Sequence, residues 1–178
     1  MENQQATQEF LNYIKFEKRY SQHTITSYQT DLTYFFDYLV CQYGEIKLPD
    51  ISHIYIRSWL ASLKDEKQNA KTINRKISTL KSFFKYLVKT GVISQSPMAK
   101  IIAPKNDRRL PNFVSDKDIK KLFDQIEFPN TWKGCTERLT LLIFYHTGMR
   151  LSEVISIDEN QINFSNHSIK VLGKGNKE

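Results

Sequence analysis

Residues 70–89, AKTINRKISTLKSFFKYLVK, constrain the fold more than any other stretch of this chain. At 100° per residue, Ile73, Ile77, Leu80, Phe84 and Leu87 fall within one narrow sector, the pattern of a helix laid against a core. The other side carries Lys71, Asn74, Arg75, Ser78, Lys81, Ser82 and Lys85, with no acid among them. A solvated helix face ordinarily mixes signs through i,i+4 pairs. Long cations separated by small polar side chains instead form a surface that a nucleic-acid backbone can approach closely. A plain solvated face is the alternative.

The rest of the first hundred residues repeats the helical period. Thr7 to Lys18 places Phe10, Leu11 and Ile14 on one side. Ser21 is a candidate N-cap for a long second helix whose stripe is Ile25, Tyr28, Leu32, Phe35, Phe36 and Leu39, punctuated by Gly44 and Pro49. A third helix, about Ser52 to Glu66, buries Ile56, Trp59, Leu60 and Leu63. The fourth stops at Gly91, and a short helix around Pro97 to Ile102 follows. Four amphipathic helices with short connections predict a bundle.

Charge is concentrated rather than spread. Between Lys67 and Arg109 stand eleven Lys or Arg against one acid, Asp107, so that stretch is +10 and the remainder of the +7 chain is −3. Such a block suggests a polyanionic partner, with a basic linker plus a solvated face as the alternative. The segment IIAPKNDRRLPNF, 101–113, has two prolines, the cations Lys105, Arg108 and Arg109, and little apolar periodicity, so it reads as a linker. Helix restarts at SDKDIKKLFDQI, with Ser115 as cap and Asp118 three residues on. A further apolar helix spans about Glu137 to Tyr145 and ends at Thr147-Gly148, and a short one runs from Ser152 to about Ile157. The period then changes to two, with Ile162 and Phe164, then Ile169 and Val171, flanking the turn FSNHS.

Several classes are set aside. No apolar run approaches the roughly 18 residues needed to span a bilayer. The polar N-terminus is not a secretory signal. Cys41 and Cys135 lack CxxC spacing and are expected to be free, buried thiols. His23, His53, His146 and His167 are scattered, so no metal-ligand cluster is expected.

Two cations in the second half carry possible chemistry. Arg150 follows Gly148, a helix-ending residue, and precedes Ser152-Glu153, expected to cap and open the next helix. A cation at a helix N-terminus opposes the macrodipole unless an anion is near. That anion is either Glu153, as an internal salt bridge, or a bound phosphate gripped by the guanidinium. Lys174 stands in GKGNK, whose glycines and Asn176 suit a tight hairpin turn. A lysine there is either a mobile group that swings toward a substrate or an ordinary exposed turn residue.

TGMRLSEVISI followed by VLGKGNKE resembles the start of the catalytic domain of tyrosine recombinases, the phage-integrase family. GKGNKE is similar to the Xer branch, which resolves chromosome dimers. SQHTITSYQTDLTYFFDYL and TINRKISTLKSFFKYLVKTGVI resemble the family's helical core-binding domain, and SPMAKIIAPKNDRRLPNFVSDKDI its inter-domain crossing. The resemblance implies a mainly α chain: a four-helix, SAM-like core-binding bundle over 1–90, a short helix and basic linker over 91–108, and a truncated α+β catalytic domain over 109–178 ending in a β-hairpin. It also implies a mechanism in which a tyrosine cuts DNA through a 3′-phosphotyrosyl link and the strand is rejoined, without metal, ATP or any cofactor. Arg150 corresponds to the first catalytic arginine, Lys174 to the hairpin lysine that acts as general acid, and Glu153 to a residue orienting Arg150.

The implied partner is a double-stranded DNA recombination site. It would be held by Thr24, Ser27, Lys71, Asn74, Arg75, Ser78, Lys81, Lys85, Arg108 and Arg109. The longer protein would form a tetramer on DNA, alone or with a second recombinase, in the cytoplasm at the nucleoid. The family's later His-x-x-Arg motif, further His or Trp, and nucleophilic tyrosine have no counterparts here, because Tyr145 precedes Arg150 and no tyrosine follows it. The chain is therefore expected to be a truncated form of a longer recombinase; a non-catalytic DNA-binding regulator or remnant integrase is the alternative. A helical protein-interaction domain would explain the bundle but not the +10 segment. Alone, the chain is expected to form no covalent adduct with a nicked duplex, and a denaturant-resistant protein–DNA band on a gel would contradict that expectation.

Overall fold

The computed structural model describes residues 3–106, 113–171 and 173. The chain divides into two compact units, Met1–Arg109 and Leu110–Glu178. The architecture is mainly helical with one small antiparallel hairpin.

In the first unit, helix α1 (Asn3–Asn12) runs into a wider π-helical turn, Tyr13–Glu17, where the Lys18 N–H donates to the Tyr13 carbonyl five residues back. The expected helix from Thr7 to Lys18 thus starts earlier and changes its winding midway. Helix α2 (Gln22–Tyr43) is capped by Ser21, whose hydroxyl accepts from the Thr24 N–H, and it stops at Gly44 with φ 78°. Helix α3 (His53–Asp65) begins after Ser52, which accepts from the Ile54 N–H. In helix α4 (Ala70–Lys89), the Asn69 carboxamide accepts from the Thr72 N–H. Each cap satisfies a backbone donor that the helix itself cannot. Short 3₁₀ turns at Leu48–Asp50 and Pro97–Lys100 complete the unit.

The four helices close over one core. Phe10, Phe35, Trp59, Phe83 and Phe84 are fully buried and meet mostly edge to face, with Phe35 and Trp59 at 5.1 Å and Phe10 and Phe83 at 5.4 Å between centroids. All five residues of the expected α4 stripe, from Ile73 to Leu87, are buried.

The second unit is built differently. It contains α5 (Asp116–Gln125), α6 (Trp132–Thr147), α7 (Leu151–Ile155) and strands β1 (Ile162–Asn163) and β2 (Ser168–Ile169), paired Ile162 with Ile169 and Asn163 with Ser168. Helix α6 begins at Trp132, five residues before the expected Glu137. Thr131 caps it by accepting from the Gly134 N–H. Gly134 packs so tightly on Pro129 that a Cβ would lie 2.0 Å from its carbonyl oxygen. Gly134 is the residue that lets the first turn seat against Pro129.

The strands are shorter than the alternating pattern suggested. The Asn163 carboxamide accepts from the Asn166 N–H, turning the chain before Phe164 can pair. Both cysteines are exposed, contrary to the expected burial: Cys41 lies on the outer side of α2, and Cys135 on a helix with little covering it. Among the described residues no helix is long and apolar enough to cross a membrane.

Burial separates the two units. Every fully buried apolar side chain among the described residues lies between Ala6 and Ile101. In the second unit Trp132 is 89% exposed, Ile155 74% and Phe164 75%. Leu80→Ala is accordingly expected to lower bundle stability by about 2–5 kcal/mol, while Ile155→Ala changes the chain's stability by about 0.5 kcal/mol or less; urea unfolding of both variants checks the contrast.

Candidate nucleic-acid interface and the Arg150 turn

The outer face of α4 presents Lys71, Arg75, Ser78, Lys81 and Lys85 to solvent, with Asn74 and Ser82 half-buried among them. The serines lie low. Ser78 Oγ donates to the Asn74 carbonyl at 2.9 Å and Ser82 Oγ to the Ser78 carbonyl at 3.0 Å, so both hydroxyls fold back onto the helix. Lys71, Lys81 and Lys85 stand exposed along the same face.

Helix α2 borders the same face. Thr24, Ser27, Tyr28 and Asp31 share one side of α2 at helical spacing. Two of them touch α4: the Tyr28 hydroxyl is 3.5 Å from Ser82 Oγ, and Asp31 meets Arg75, Lys76 and Thr79. That register runs the half-buried Thr24 and Ser27 along the edge of the cationic strip. Asn74 is committed elsewhere, since its Nδ2 donates to the Pro104 carbonyl and to Asn106 Oδ1, each at 2.9 Å. It therefore fastens the start of the basic linker to α4. Arg108, Arg109 and Lys174 lie outside the described residues.

Sequence reasoning missed Asp31. Its side chain is wholly buried and accepts from Arg75 Nη1 at 2.5 Å, Lys76 Nζ at 3.0 Å and Thr79 Oγ1 at 2.9 Å. Arg75, expected on an acid-free face, is thus tied at one end to an acid from the neighbouring helix. Buried Lys76 also stands 4.9 Å from the Tyr34 ring and 5.6 Å from that of Trp59. A signal was available: Asp31 sits three residues after Tyr28 and four before Phe35 inside the apolar stripe, and Lys76 beside Ile77 in the stripe of α4.

In the second unit α6 ends at Gly148 in the left-handed conformation, φ 65°, and its N–H donates to the Phe144 carbonyl. Arg150 itself is the N-cap of α7, in place of the expected Ser152, because Glu153 is the residue that folds back. One Glu153 oxygen accepts from the Arg150 main-chain N–H at 2.8 Å and the other from Arg150 Nη1 at 2.6 Å. The internal salt bridge is therefore formed, while the Arg150 side chain remains 67% exposed. These bonds hold the Glu153 carboxyl below its ordinary range, the Arg150 backbone N–H being the largest cause and the guanidinium the next. Among the described residues no group of three or more His, Cys, Asp or Glu side chains could hold a metal ion.

Comparison with known proteins places this arrangement. Residues 7–91 match the model of the phage integrase N-terminal SAM-like domain, and residues 112–178 match that of the phage integrase family. The tyrosine recombinase XerC of Anoxybacillus flavithermus is 34% identical over 170 residues, covering 95% of this chain and 56% of the relative. That of Staphylococcus haemolyticus is 35% identical over 178 residues, covering 100% and 58%. The chain thus spans somewhat over half the length of these relatives. The fold is shared with a lambda integrase tetramer solved bound to a Holliday junction (TM-score 0.73, 19% identity, covering 97% of this chain and 47% of that one). It is also shared with the Tn1549 transposon integrase solved in complex with circular intermediate DNA (TM-score 0.71, 15% identity, 96% and 56%). The chain belongs to the phage integrase family, the tyrosine recombinases.

The Glu153 contact has a defined pH dependence. A carboxyl whose folded pKa is lowered contributes its stabilisation above the ordinary carboxylate pKa and loses it only as pH falls through the depressed value. The Arg150–Glu153 turn is therefore expected to be intact at neutral pH and to open in acid. In Arg150→Ala the Glu153 midpoint should rise only part of the way, since the main-chain N–H remains; a carboxyl-carbon NMR titration of both proteins reads the difference.

Proposed function

We propose that this chain is the DNA-holding portion of a site-specific tyrosine recombinase. Residues 1–90 grip a duplex recombination site, 91–108 carry the chain across, and 109–178 begin the catalytic domain. The observation that carries this reading is the strip on α4: Lys71, Lys81 and Lys85 stand exposed around back-bonded serines, with no acid on the face. Phosphates of a duplex backbone fit such a strip because each lysine displaces condensed counterions while the low serines leave room for the strand. Thr24 and Ser27 flank it and contribute shorter polar contacts, and Arg108 and Arg109 extend the positive charge along the linker.

In the longer protein Arg150 stabilises the charge that develops on the scissile phosphate, and Glu153 holds that arginine by two hydrogen bonds. Lys174 protonates the leaving 5′-oxygen. The phosphotyrosyl link conserves the bond energy, so rejoining requires no cofactor. An integrase of the same fold solved as a tetramer on a Holliday junction supports a tetrameric assembly on DNA for the longer protein; its place in the cytoplasm and the option of a second recombinase are part of the same proposal.

Fluorescence anisotropy with duplex DNA over a range of salt tests the reading. Binding should weaken linearly on a log–log plot, and each of Lys71→Ala, Lys81→Ala and Lys85→Ala should flatten the slope by about 0.9. An unchanged slope in the triple variant means that this face does not touch DNA.

A further inference from the structure

We propose that Asp31 is a positioning residue for nucleic-acid contact, holding the Arg75 guanidinium in one orientation at the edge of the cationic strip. The inference rests on reading that strip as a DNA contact. Asp31 meets two cations where one would neutralise it. Lys76 is buried, bonds Asp31 Oδ1 and packs over two aromatic rings, so the internal charge balance is already met. Arg75 is the surplus cation. It bonds the other carboxylate oxygen through Nη1 alone, and its side chain is 47% exposed.

The shape of the two groups gives this surplus a use. A guanidinium is a planar fork of five donors, so tying one nitrogen to a buried carboxylate, with the side chain anchored on α4 at its other end, restricts the plane of the rest. Thr79 Oγ1 donates to the same Asp31 oxygen and limits the carboxylate's own rotation. Among the described residues no other side chain accepts from the guanidinium, and Arg75 shares one side of α4, at helical spacing, with Lys71, Ser78 and Ser82. Lys81 and Lys85 must lose rotamer freedom to reach a phosphate, whereas Arg75 is already ordered before binding. The strip thus combines mobile charges with one fixed fork, and the fork sets where the backbone seats.

The sign of one substitution separates positioning from simple charge. Asp31→Asn makes the chain more positive by one, which by electrostatics alone tightens binding to a polyanion. Positioning predicts the reverse, a loss of about tenfold in affinity of the folded full chain for a short fluorescent duplex. The same loss is expected in Arg75→Ala, with no further loss on adding Asp31→Asn to it. Lys76→Met breaks the other half of the buried contact. It should lower the melting temperature yet leave affinity nearly unchanged, a result that a purely structural role for the cluster would not give.

If Asp31→Asn does not fold by circular dichroism, Arg75→Lys replaces it. That variant keeps the charge, loses the fork and should bind as weakly as Arg75→Ala. Equal or tighter binding by folded Asp31→Asn, additive losses in the double variant, or wild-type binding by Arg75→Lys overturns the proposal. Failure of the DNA reading looks different: Lys81→Ala and Lys85→Ala would then bind like wild type, or the wild-type chain would not bind duplex at all, and the proposal falls with it.

Discussion

Asp31 accepts from three side chains of α4 at a position closed to water, and this contact determines which faces of α2 and α4 remain for anything else. Apolar helix contacts tolerate a small slide, because one methyl group replaces another at little cost. A buried carboxylate with three donors does not, since moving it leaves charge without a partner in low dielectric. The cluster therefore selects one register of α2 against α4. From that register follow the Tyr28–Ser82 approach, the line of Thr24 and Ser27 beside the strip, and the outward aim of Lys71, Lys81 and Lys85.

The two units obey different economies of burial. The bundle hides a ring-rich core. The second unit relies on local hydrogen bonds: the Thr131 cap, the Arg150–Glu153 turn and the Asn163 turn each bridge only three residues. Contacts of short sequence separation need little loop closure and can form without a large core beneath them. The geometry around Arg150 is thus set by the chain next to it.

The bundle was legible because α4, α3 and α2 write their burial as a simple period, and Ile73, Trp59 and Phe35 all lie where that period puts them. Caps were legible for the same local reason at Ser21 and Ser115. What escaped depends on reach between elements. Asp31 and Lys76 look like interruptions of two separate stripes until the helices are laid together, when they become each other's partners. Arg75 looked free because a helical wheel shows only its own helix. The early start of α6 was hidden by Gly134, whose low helix propensity is overridden by close packing on Pro129. Phe164 was assigned to a strand by alternation, which carries no information about the side-chain turn at Asn163 that ends pairing.

The back-bonded serines of α4 have one more consequence. Ser78 and Ser82 each give their hydroxyl hydrogen to a carbonyl of the helix, so neither keeps a donor for a phosphate, which has no use for another acceptor. Lysines, as point charges, do not distinguish one base pair from another. On the proposed reading, these lysines would register the spacing of a polyanion's charges and not its sequence. On the same DNA reading, sequence would have to be read by groups other than these lysines and serines.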